Sequence, residues 1–149
     1  QKLQDMLHTP PPNGTQHCLI MLDIDHFKRV NDTHGHQLGD RVLEGLGAVL
    51  RSVPDEPDMT CARYGGEEFA VLLPASSLSK ALQVAETLRS RTRGIRLRNR
   101  GTQTVEMTVT VSAGVAAWRP GDDAASLLSS ADAALYRAKS AGRDRVIAA

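Results

Sequence analysis

The longest apolar run in the chain covers residues 18–24 and reads Cys-Leu-Ile-Met-Leu-Asp-Ile. A near-continuous apolar run of this length indicates a strand that is buried on both faces of a sheet. Further β-prone segments flank Gly65-Gly66, and two glycines in that position predict a hairpin turn with positive φ at its centre. Residues 104–111 alternate between apolar and polar side chains, which predicts a half-buried strand that continues to Val115. A short final strand is predicted at residues 145–147.

Helical patterns fill the spaces between these strands. Residues 1–12 resemble the end of a helix followed by a stiff proline connection, and a short helix is predicted directly after Asp25. Apolar residues then recur at helical spacing from about residue 40 to 53, after a stretch at 31–40 that its glycines and polar residues predict to be a loop. Two more helices are expected, and their predicted caps are Ser79 and Gly94 for the first, and Asp122 or Asp123 and Gly142 for the second.

The resulting order of elements is β-α-α-β-β-α-β-α-β, which is close to the ferredoxin-like β-α-β-β-α-β arrangement with additions. The fold class is therefore α/β, with a mostly antiparallel central sheet of about five strands and helices packed on it. The length of 149 residues suits one domain with a proper core. We therefore expect a single α/β sandwich domain over residues 1–149.

Composition narrows the classes of function. The formal net charge of +1 gives no bulk attraction to nucleic acid or to a membrane surface. An aromatic content of 3% argues against a base-stacking surface, so we expect no nucleic-acid partner and disfavour a polymerase-like palm domain. We also expect no membrane contact, since no apolar run approaches the ~20 residues of a membrane span. Cys18 and Cys61 lie in apolar runs and are predicted to be buried thiols, which favours a reducing compartment and a cytoplasmic location.

Carboxylates and basic groups are predicted to meet at one edge of the sheet. Asp23 ends the first strand and Glu67 follows the hairpin turn, so the two side chains converge if these strands are neighbours. Such a pair suits Mg²⁺, which is usually held by one or two carboxylates together with substrate phosphates. Lys28 follows the start of a helix, and Lys139 and Arg143 project from one face of the last helix. Asp25 is predicted to be the cap of the helix after it.

The motifs occur in a recognisable order along the chain. They are Asp23-Ile24-Asp25-His26-Phe27-Lys28, Asn31-Asp32, Gly35-His36, Gly39-Asp40, Arg63-Tyr64-Gly65-Gly66-Glu67-Glu68-Phe69, Ala131-Asp132-Ala133-Ala134-Leu135-Tyr136-Arg137-Ala138-Lys139 and Gly142-Arg143. Together they resemble the GGDEF family of diguanylate cyclases over nearly the whole chain. Members of that family join two GTP molecules into cyclic di-GMP and release pyrophosphate, with each GTP held by one half of a homodimer.

The resemblance implies a role for each motif residue. It implies that Asp23, the Ile24 carbonyl and Glu67 bind Mg²⁺, with Mn²⁺ as an alternative ion, and that Glu67 is the candidate base. It also implies that guanine is read by Asn31 and Asp40 with His36 nearby; a separate reading of Asp40 is that it caps the helix from residue 40. The remaining substrate-binding residues are Phe27, Lys28, Gly65, Gly66, Glu68, Lys139 and Arg143, and Lys28 is also placed in the catalytic set.

Two departures from the family pattern shape the expectations. The family's opening segment is absent ahead of Gln1, which predicts that the chain is the C-terminal part of a longer signalling protein. The family's inhibitory Arg-x-x-Asp motif is replaced by Glu56 and Met59, with Asp55 and Asp58 beside them, so we predict no feedback inhibition by cyclic di-GMP at that place. The alternative to an active cyclase is a catalytically idle domain that binds GTP or cyclic di-GMP and signals by contact.

Overall fold

A five-stranded sheet with helices on both faces forms the centre of the fold. The computed structural model describes residues 2–53, 58–95, 97–98, 104–105 and 107–149. The strands are β1 Gln16–Ile24, β2 Thr60–Arg63, β3 Glu68–Ser76, β4 Leu97–Arg98, β5 Thr104–Val105, β6 Val111–Ala117 and β7 Val146–Ala148. The helices are α1 Lys2–His8, α2 Phe27–His34, α3 His36–Arg51, α4 Leu78–Arg93 and α5 Ala124–Ser140.

The strand order in the main sheet is β2-β3-β1-β6-β7. All neighbouring strands are antiparallel except β6 and β7, which are parallel, and β4 pairs with β5 in a separate two-stranded sheet. The predicted α/β class and mostly antiparallel five-stranded sheet are confirmed. None of the described helices combines the length and the apolarity needed to cross a membrane.

Strand β1 is buried on both faces, as its apolar run predicted. Because side chains alternate along a strand, Ile20 and Leu22 enter the core that is formed with α2, α3 and α4. Leu19 and Met21 enter the second core, formed with α1 and α5. Asp23 continues the second set, so its carboxylate faces the side of the sheet that α5 covers.

The backbones of β6 and α5 approach each other closely at Gly114. A Cβ atom at this position would lie 2.2 Å from the Ala131 carbonyl oxygen and 2.3 Å from the Leu135 amide nitrogen. Only glycine permits this contact without moving the helix. The close approach fixes the height of α5 above the sheet, and with it the position of the basic residues at the end of the helix.

The prediction that residues 31–40 form a loop is wrong. Helix α2 extends through residue 34 and α3 begins at His36, so Gly35 alone separates them, with a φ of 86° that favours glycine. The start of α3 exposes His36, Gln37 and Asp40, and Leu38 is the first residue of its buried face. Asp40 is the fifth residue of α3, which excludes its alternative role as the helix cap.

Several local predictions also need correction. Gly65 and Gly66 do connect β2 to β3, but neither has a positive φ, because a four-residue connection between the strands does not require a primed turn. The cap of α4 is Ser77, which accepts a hydrogen bond from the Lys80 amide, and not Ser79. Cys61 is exposed, because it lies on the edge strand β2.

The prediction of one strand from residue 104 to Val115 is wrong in its first half. Thr104–Val105 form β5 in the small second sheet, residues 107–110 are not in a strand, and β6 begins only at Val111. The helix ends fall nearer the predicted positions. Helix α4 ends at Gly94, as predicted. Asp123 caps α5 in a reciprocal arrangement with Ser126, and the helix ends at Ala141, one residue before Gly142.

Candidate active site

The candidate site lies where β1 ends, beside the β2–β3 turn and below the end of α5. Strand β1 delivers Asp23 to this edge, and Asp23 is the register partner of Glu68 on β3 and of Ser112 on β6. The Ile24 amide donates a hydrogen bond to the Glu67 carbonyl at 3.2 Å, which ties the turn to the end of β1. The neighbouring strands thus bring Asp23 and the Glu67-Glu68 pair into one place, as the sequence predicted.

Asp23 is a buried carboxylate with one oxygen that has a partner and one that has none. Its side chain is 4% exposed, and Oδ2 accepts a hydrogen bond from the Lys139 ammonium in an ion pair. Oδ1 is buried and has no hydrogen-bond partner among the described residues. Burial raises the pKa of Asp23 above its ordinary value, and the hydrogen bond and the charge of Lys139 oppose that shift. An unpartnered buried oxygen is costly unless a ligand satisfies it.

Negative charge accumulates around Glu68. Burial is the largest cause that raises the pKa of the Glu68 carboxyl. The nearby charges of Asp23, Asp132 and Glu67 raise this pKa further, while Lys139 lowers it. The strand register, which sequence reasoning did not supply, places Glu68 rather than Glu67 opposite Asp23. Mutual repulsion among carboxylates favours the binding of a cation between them.

The β2–β3 turn presents open backbone to this cluster. The Arg63 guanidinium donates hydrogen bonds to the Gly65 and Gly66 carbonyls at 2.6 to 3.2 Å, which holds the turn in shape. No atom lies within 4 Å of a Cβ built at either glycine. The space in front of both glycines therefore allows a ligand to approach the backbone closely.

Helix α2 begins just beyond Asp23 and brings Lys28 to the same edge, where its side chain is exposed. The residue before the helix, His26, has a left-handed φ of 58° and makes no side-chain hydrogen bond to the first turn. Uncapped amides at a helix start favour phosphate oxygens. Phe27 is 8% exposed and packs in the core, which leaves only its backbone for a ligand.

The crossing of α2 and α3 positions the residues predicted to read guanine. A Cβ at Gly39 would lie 1.8 Å from Asn31 Oδ1 and 3.4 Å from Phe27 Cζ. The Asn31 amide therefore lies directly against the backbone of α3, one residue before Asp40. Asp40 and His36 are both exposed on α3. The three polar side chains, Asn31, His36 and Asp40, therefore belong to one helix pair.

Asp25 does not cap α2, because its carboxylate has better partners elsewhere. Oδ1 accepts a hydrogen bond from the Ser112 hydroxyl at 2.7 Å. Oδ2 accepts from the Thr110 hydroxyl at 2.8 Å and from the Asp144 amide at 3.0 Å. Asp25 is 7% exposed. These donors lie 85 or more residues away in the sequence, so no local pattern could have revealed them.

Arg143 lies in the turn after α5, which ends at Ser140, so the prediction that Arg143 shares a face of that helix with Lys139 is wrong. Arginines of α4 anchor this turn. Arg143 is close enough to Asp23 to oppose the rise in its pKa. The Asp144 carboxylate forms ion pairs with Arg89, at 2.8 Å, and with Arg93. Two arginines of α4 therefore hold the turn that carries Arg143.

Comparison with known proteins identifies the family. A family profile described as "Diguanylate cyclase, GGDEF domain" matches residues 1–145. The chain belongs to the GGDEF family. It is 43% identical over 134 residues to diguanylate cyclase DgcP of Pseudomonas aeruginosa, a match that covers 90% of this chain and 19% of DgcP. The chain thus spans about a fifth of the length of that relative.

Solved GGDEF domains share the fold. The crystal structure of the GGDEF domain of DgcB from Caulobacter crescentus, in complex with c-di-GMP, superposes with a TM-score of 0.90 at 40% identity, covering 99% of this chain and 85% of that one. The active GGEEF domain of a diguanylate cyclase from Vibrio cholerae superposes with a TM-score of 0.88 at 31% identity, covering 99% and 91%. The resemblance inferred from the motifs is therefore confirmed at the level of family and fold.

The donor set of this GGDEF site fits a magnesium ion. The orphaned Asp23 Oδ1, the Glu67 carboxylate and the Ile24 carbonyl are hard oxygen donors at one edge of the sheet. Within the described ranges, no group of three or more His, Cys, Asp or Glu side chains is arranged to hold a metal on its own. Mg²⁺ usually takes part of its shell from substrate phosphates.

The segment that replaces the family's inhibitory motif lies partly outside the described residues. Asp55 and Glu56 lie outside the described residues, and Met59 directly precedes β2. The expected absence of feedback inhibition stays a prediction from the sequence.

Proposed function

We propose that this domain is a diguanylate cyclase that condenses two GTP molecules into cyclic di-GMP and two pyrophosphates. One observation carries the proposal: a GGDEF chain keeps a buried, half-satisfied Asp23 beside Glu67 and Glu68, with Lys139 bonded to it. A buried carboxylate oxygen without a hydrogen-bond partner would be stabilised by a divalent cation that arrives bound to a phosphate. The relatives named diguanylate cyclase support the assignment.

The proposed binding mode divides GTP between two parts of the fold. Asn31 and Asp40 on the α2–α3 pair would hold guanine, with His36 at the edge of the base. The phosphates would lie along the start of α2 and the open Gly65-Gly66 backbone. Each of these parts is built from elements that meet at the end of β1, so one GTP can contact both.

Basic side chains would neutralise the phosphates. Lys139 is bonded to Asp23, so it would exchange that contact for a phosphate oxygen when a metal ion satisfies the carboxylate. Arg143 and Lys28 approach the same place from the α5 turn and from α2. Positive groups positioned in advance at developing negative charge are among the most effective means of lowering a reaction barrier.

The reaction forms a bond from the ribose 3′-oxygen of one GTP to the α-phosphorus of the other, and breaks the bond between that phosphorus and the oxygen bridging to the β-phosphate. Pyrophosphate leaves with the bonding electrons, and the 3′-hydroxyl proton passes to the Glu67 carboxylate. A bound Mg²⁺ or Mn²⁺ would supply charge neutralisation at the phosphates. The ring closes when the second GTP reacts in the same way.

Two domains are needed in this scheme, because each holds one GTP and presents it to the other. A homodimer with the two sites facing each other satisfies that requirement. GTP and the product cyclic di-GMP are therefore the proposed small-molecule partners, and we place the domain in the cytoplasm, where GTP is available.

Product analysis tests the proposal. The domain is incubated with GTP and Mg²⁺ over a range of protein concentrations, and products are separated and identified by mass. We expect cyclic di-GMP, a rate per domain that rises with concentration, and loss of the product when a chelator removes the metal. Calorimetric binding of GTP without any product would instead support the catalytically idle alternative.

A further inference from the structure

The turn between α5 and β7 is held in an unusual conformation. Gly142, Arg143 and Asp144 have φ values of 121°, 64° and 48°, so three successive residues are left-handed. Non-glycine residues enter this region at a cost in free energy and stay there only when their surroundings hold them. The turn that carries a proposed phosphate ligand is therefore one that must be anchored from outside.

Asp25 supplies an anchor to the backbone of this turn. Its Oδ2 accepts the Asp144 amide hydrogen at 3.0 Å, one residue after Arg143. The carboxylate is itself oriented by two hydroxyls, Thr110 on Oδ2 and Ser112 on Oδ1. Since Asp25 is 7% exposed, water competes little for these bonds, and each one is stronger than it would be at the surface.

The position of Asp25 links the turn to the metal-binding edge. It lies two residues after Asp23, so the end of one strand carries both the proposed metal ligand and the anchor of the Arg143 turn. The Arg89 and Arg93 ion pairs with the Asp144 side chain hold the same turn from the other side. Nothing in the reaction requires Asp25 to touch the substrate.

We infer that Asp25 is a positioning residue that sets Arg143 against the triphosphate by fixing the Asp144 amide. This inference rests on the proposed function, because it requires Arg143 to bind phosphate. It predicts that Asp25 acts on affinity for the triphosphate only through Arg143, and that it leaves the contacts to guanine unchanged.

A double-mutant cycle tests this coupling. The ligand is a GTP analogue with a methylene group between the α- and β-phosphorus atoms, which cannot be cyclised, and binding with Mg²⁺ is measured by calorimetry. We expect Asp25→Ala and Arg143→Ala each to weaken binding about tenfold, and the double variant to bind no more weakly than Arg143→Ala alone. Guanosine, which has no phosphate, should bind all four proteins equally.

Two further variants separate positioning from general loss of stability. Asp25→Asn should bind the analogue nearly as well as the unmodified domain, since its amide oxygen can accept from Asp144 while its NH₂ donates to the Ser112 hydroxyl. Asp123→Ala removes the cap of α5 at the far end of the helix, and should lower the melting temperature without changing affinity for the analogue. If Asp25→Ala fails to fold, the cycle is run with Asp25→Ser, whose shorter side chain cannot reach the Asp144 amide, and Asp25→Asn stays the control.

The possible results separate the phosphate role of Arg143 from the positioning role of Asp25. Unchanged binding in Arg143→Ala would refute its phosphate role and, with it, this inference. If Arg143→Ala weakens binding but the losses in the cycle are additive, or guanosine binding falls in parallel, the inference alone is overturned. Equal weakening by Asp25→Asn and Asp25→Ala would also contradict it, because the hydrogen bond to Asp144 would not be the cause.

Discussion

We propose that a single carboxylate, Asp40, selects the base. Its side chain is exposed on α3, beyond the first turn, so it does not serve as a cap. A carboxylate can accept from both N1–H and the 2-amino group of guanine in a charge-assisted pair. Adenine lacks both donors, so a site built around Asp40 would leave that carboxylate unpaired in a complex with ATP.

We therefore expect Asp40→Asn to lose selectivity for GTP over ATP. Sites built on such hydrogen bonds discriminate by as much as ~10⁴-fold, and the variant should lose at least about tenfold of its preference. Competition of each nucleotide against the methylene GTP analogue measures the ratio. Asp32→Asn removes an exposed carboxylate from α2 and is the matched control. Equal affinity of the unmodified domain for ATP and GTP would remove Asp40 from base reading.

At the scale of elements, the α2–α3 crossing positions the side chains that we propose read guanine. Gly39 leaves room for the Asn31 amide, whose Oδ1 would lie 1.8 Å from a Cβ there. The distance is too short for any adjustment that leaves Asn31 in place. Helix packing therefore sets where the amide lies.

Gly39→Ala should displace Asn31 and weaken GTP binding about tenfold or more, with a smaller effect on folding, since Asn31 lies at the rim of the crossing.

Gly47→Ala is the control on the same helix, because its Cβ would meet only the flexible end of Arg51, at 3.3 Å. Replacing glycine by alanine inside a helix stabilises it by up to about 1 kcal/mol, so the control should melt higher and bind GTP normally. Binding by calorimetry and melting temperatures decide between these outcomes; normal GTP binding by Gly39→Ala would contradict the proposed role of Asn31.

The elements that sequence predicted well are those whose signal is local and repeated. Strand β1 was found within two residues of its start because residues 18–22 are all apolar, and the missed residues, Gln16 and His17, are polar. The Asp123 cap of α5 was found because capping is local. The first turns of α3 were missed because a polar, rim-exposed helix has the same composition as a loop. Asp25 was assigned to a helix cap because its true donors, Ser112 and the Asp144 amide, are brought to it only by the folded sheet.

The candidate site was predictable to a similar extent. The motifs identified Asp23 and Glu67, and the hairpin between β2 and β3 follows from sequence. The ion pair of Asp23 with Lys139 and the register that sets Glu68 opposite Asp23 depend on how strands and α5 align. Such alignment is a property of the packed sheet.

At the scale of the whole molecule, the fold determines how reactive each of the two cysteine thiols is. Cys18 is fully buried in β1, and burial raises its pKa to about 11. Cys61 also has a raised pKa, but its residue is exposed on the edge strand. The raised pKa disfavours the reactive thiolate at both positions, so access to the side chain decides, and it favours Cys61.

A maleimide or iodoacetamide at mildly alkaline pH should therefore modify Cys61 first, and Cys18 only when denaturant unfolds the domain. Mass spectrometry of peptides from the labelled protein identifies the site. Cys61→Ser is the control and should show no rapid labelling. Rapid modification of Cys18 in the native protein would be inconsistent with β1 as the central strand.

For the whole molecule, we propose that two copies of this GGDEF domain convert GTP to cyclic di-GMP at the edge of the sheet where Asp23 and Glu67 meet. Glu67→Gln keeps the shape of the side chain but removes an anionic ligand and the proposed proton acceptor. Losses of that kind typically lower turnover by about 10²–10⁴-fold. Glu44→Gln removes the same charge from an exposed position on α3 and is the matched control.

The most direct measurement is the initial rate of cyclic di-GMP formation from GTP and Mg²⁺ by the unmodified domain, Glu67→Gln and Glu44→Gln at equal concentration. We expect product from the unmodified domain and from Glu44→Gln at similar rates, and a rate at least about a hundredfold lower from Glu67→Gln. Formation of no cyclic di-GMP by the unmodified domain would contradict the proposed activity, and an undiminished rate in Glu67→Gln would contradict the proposed site.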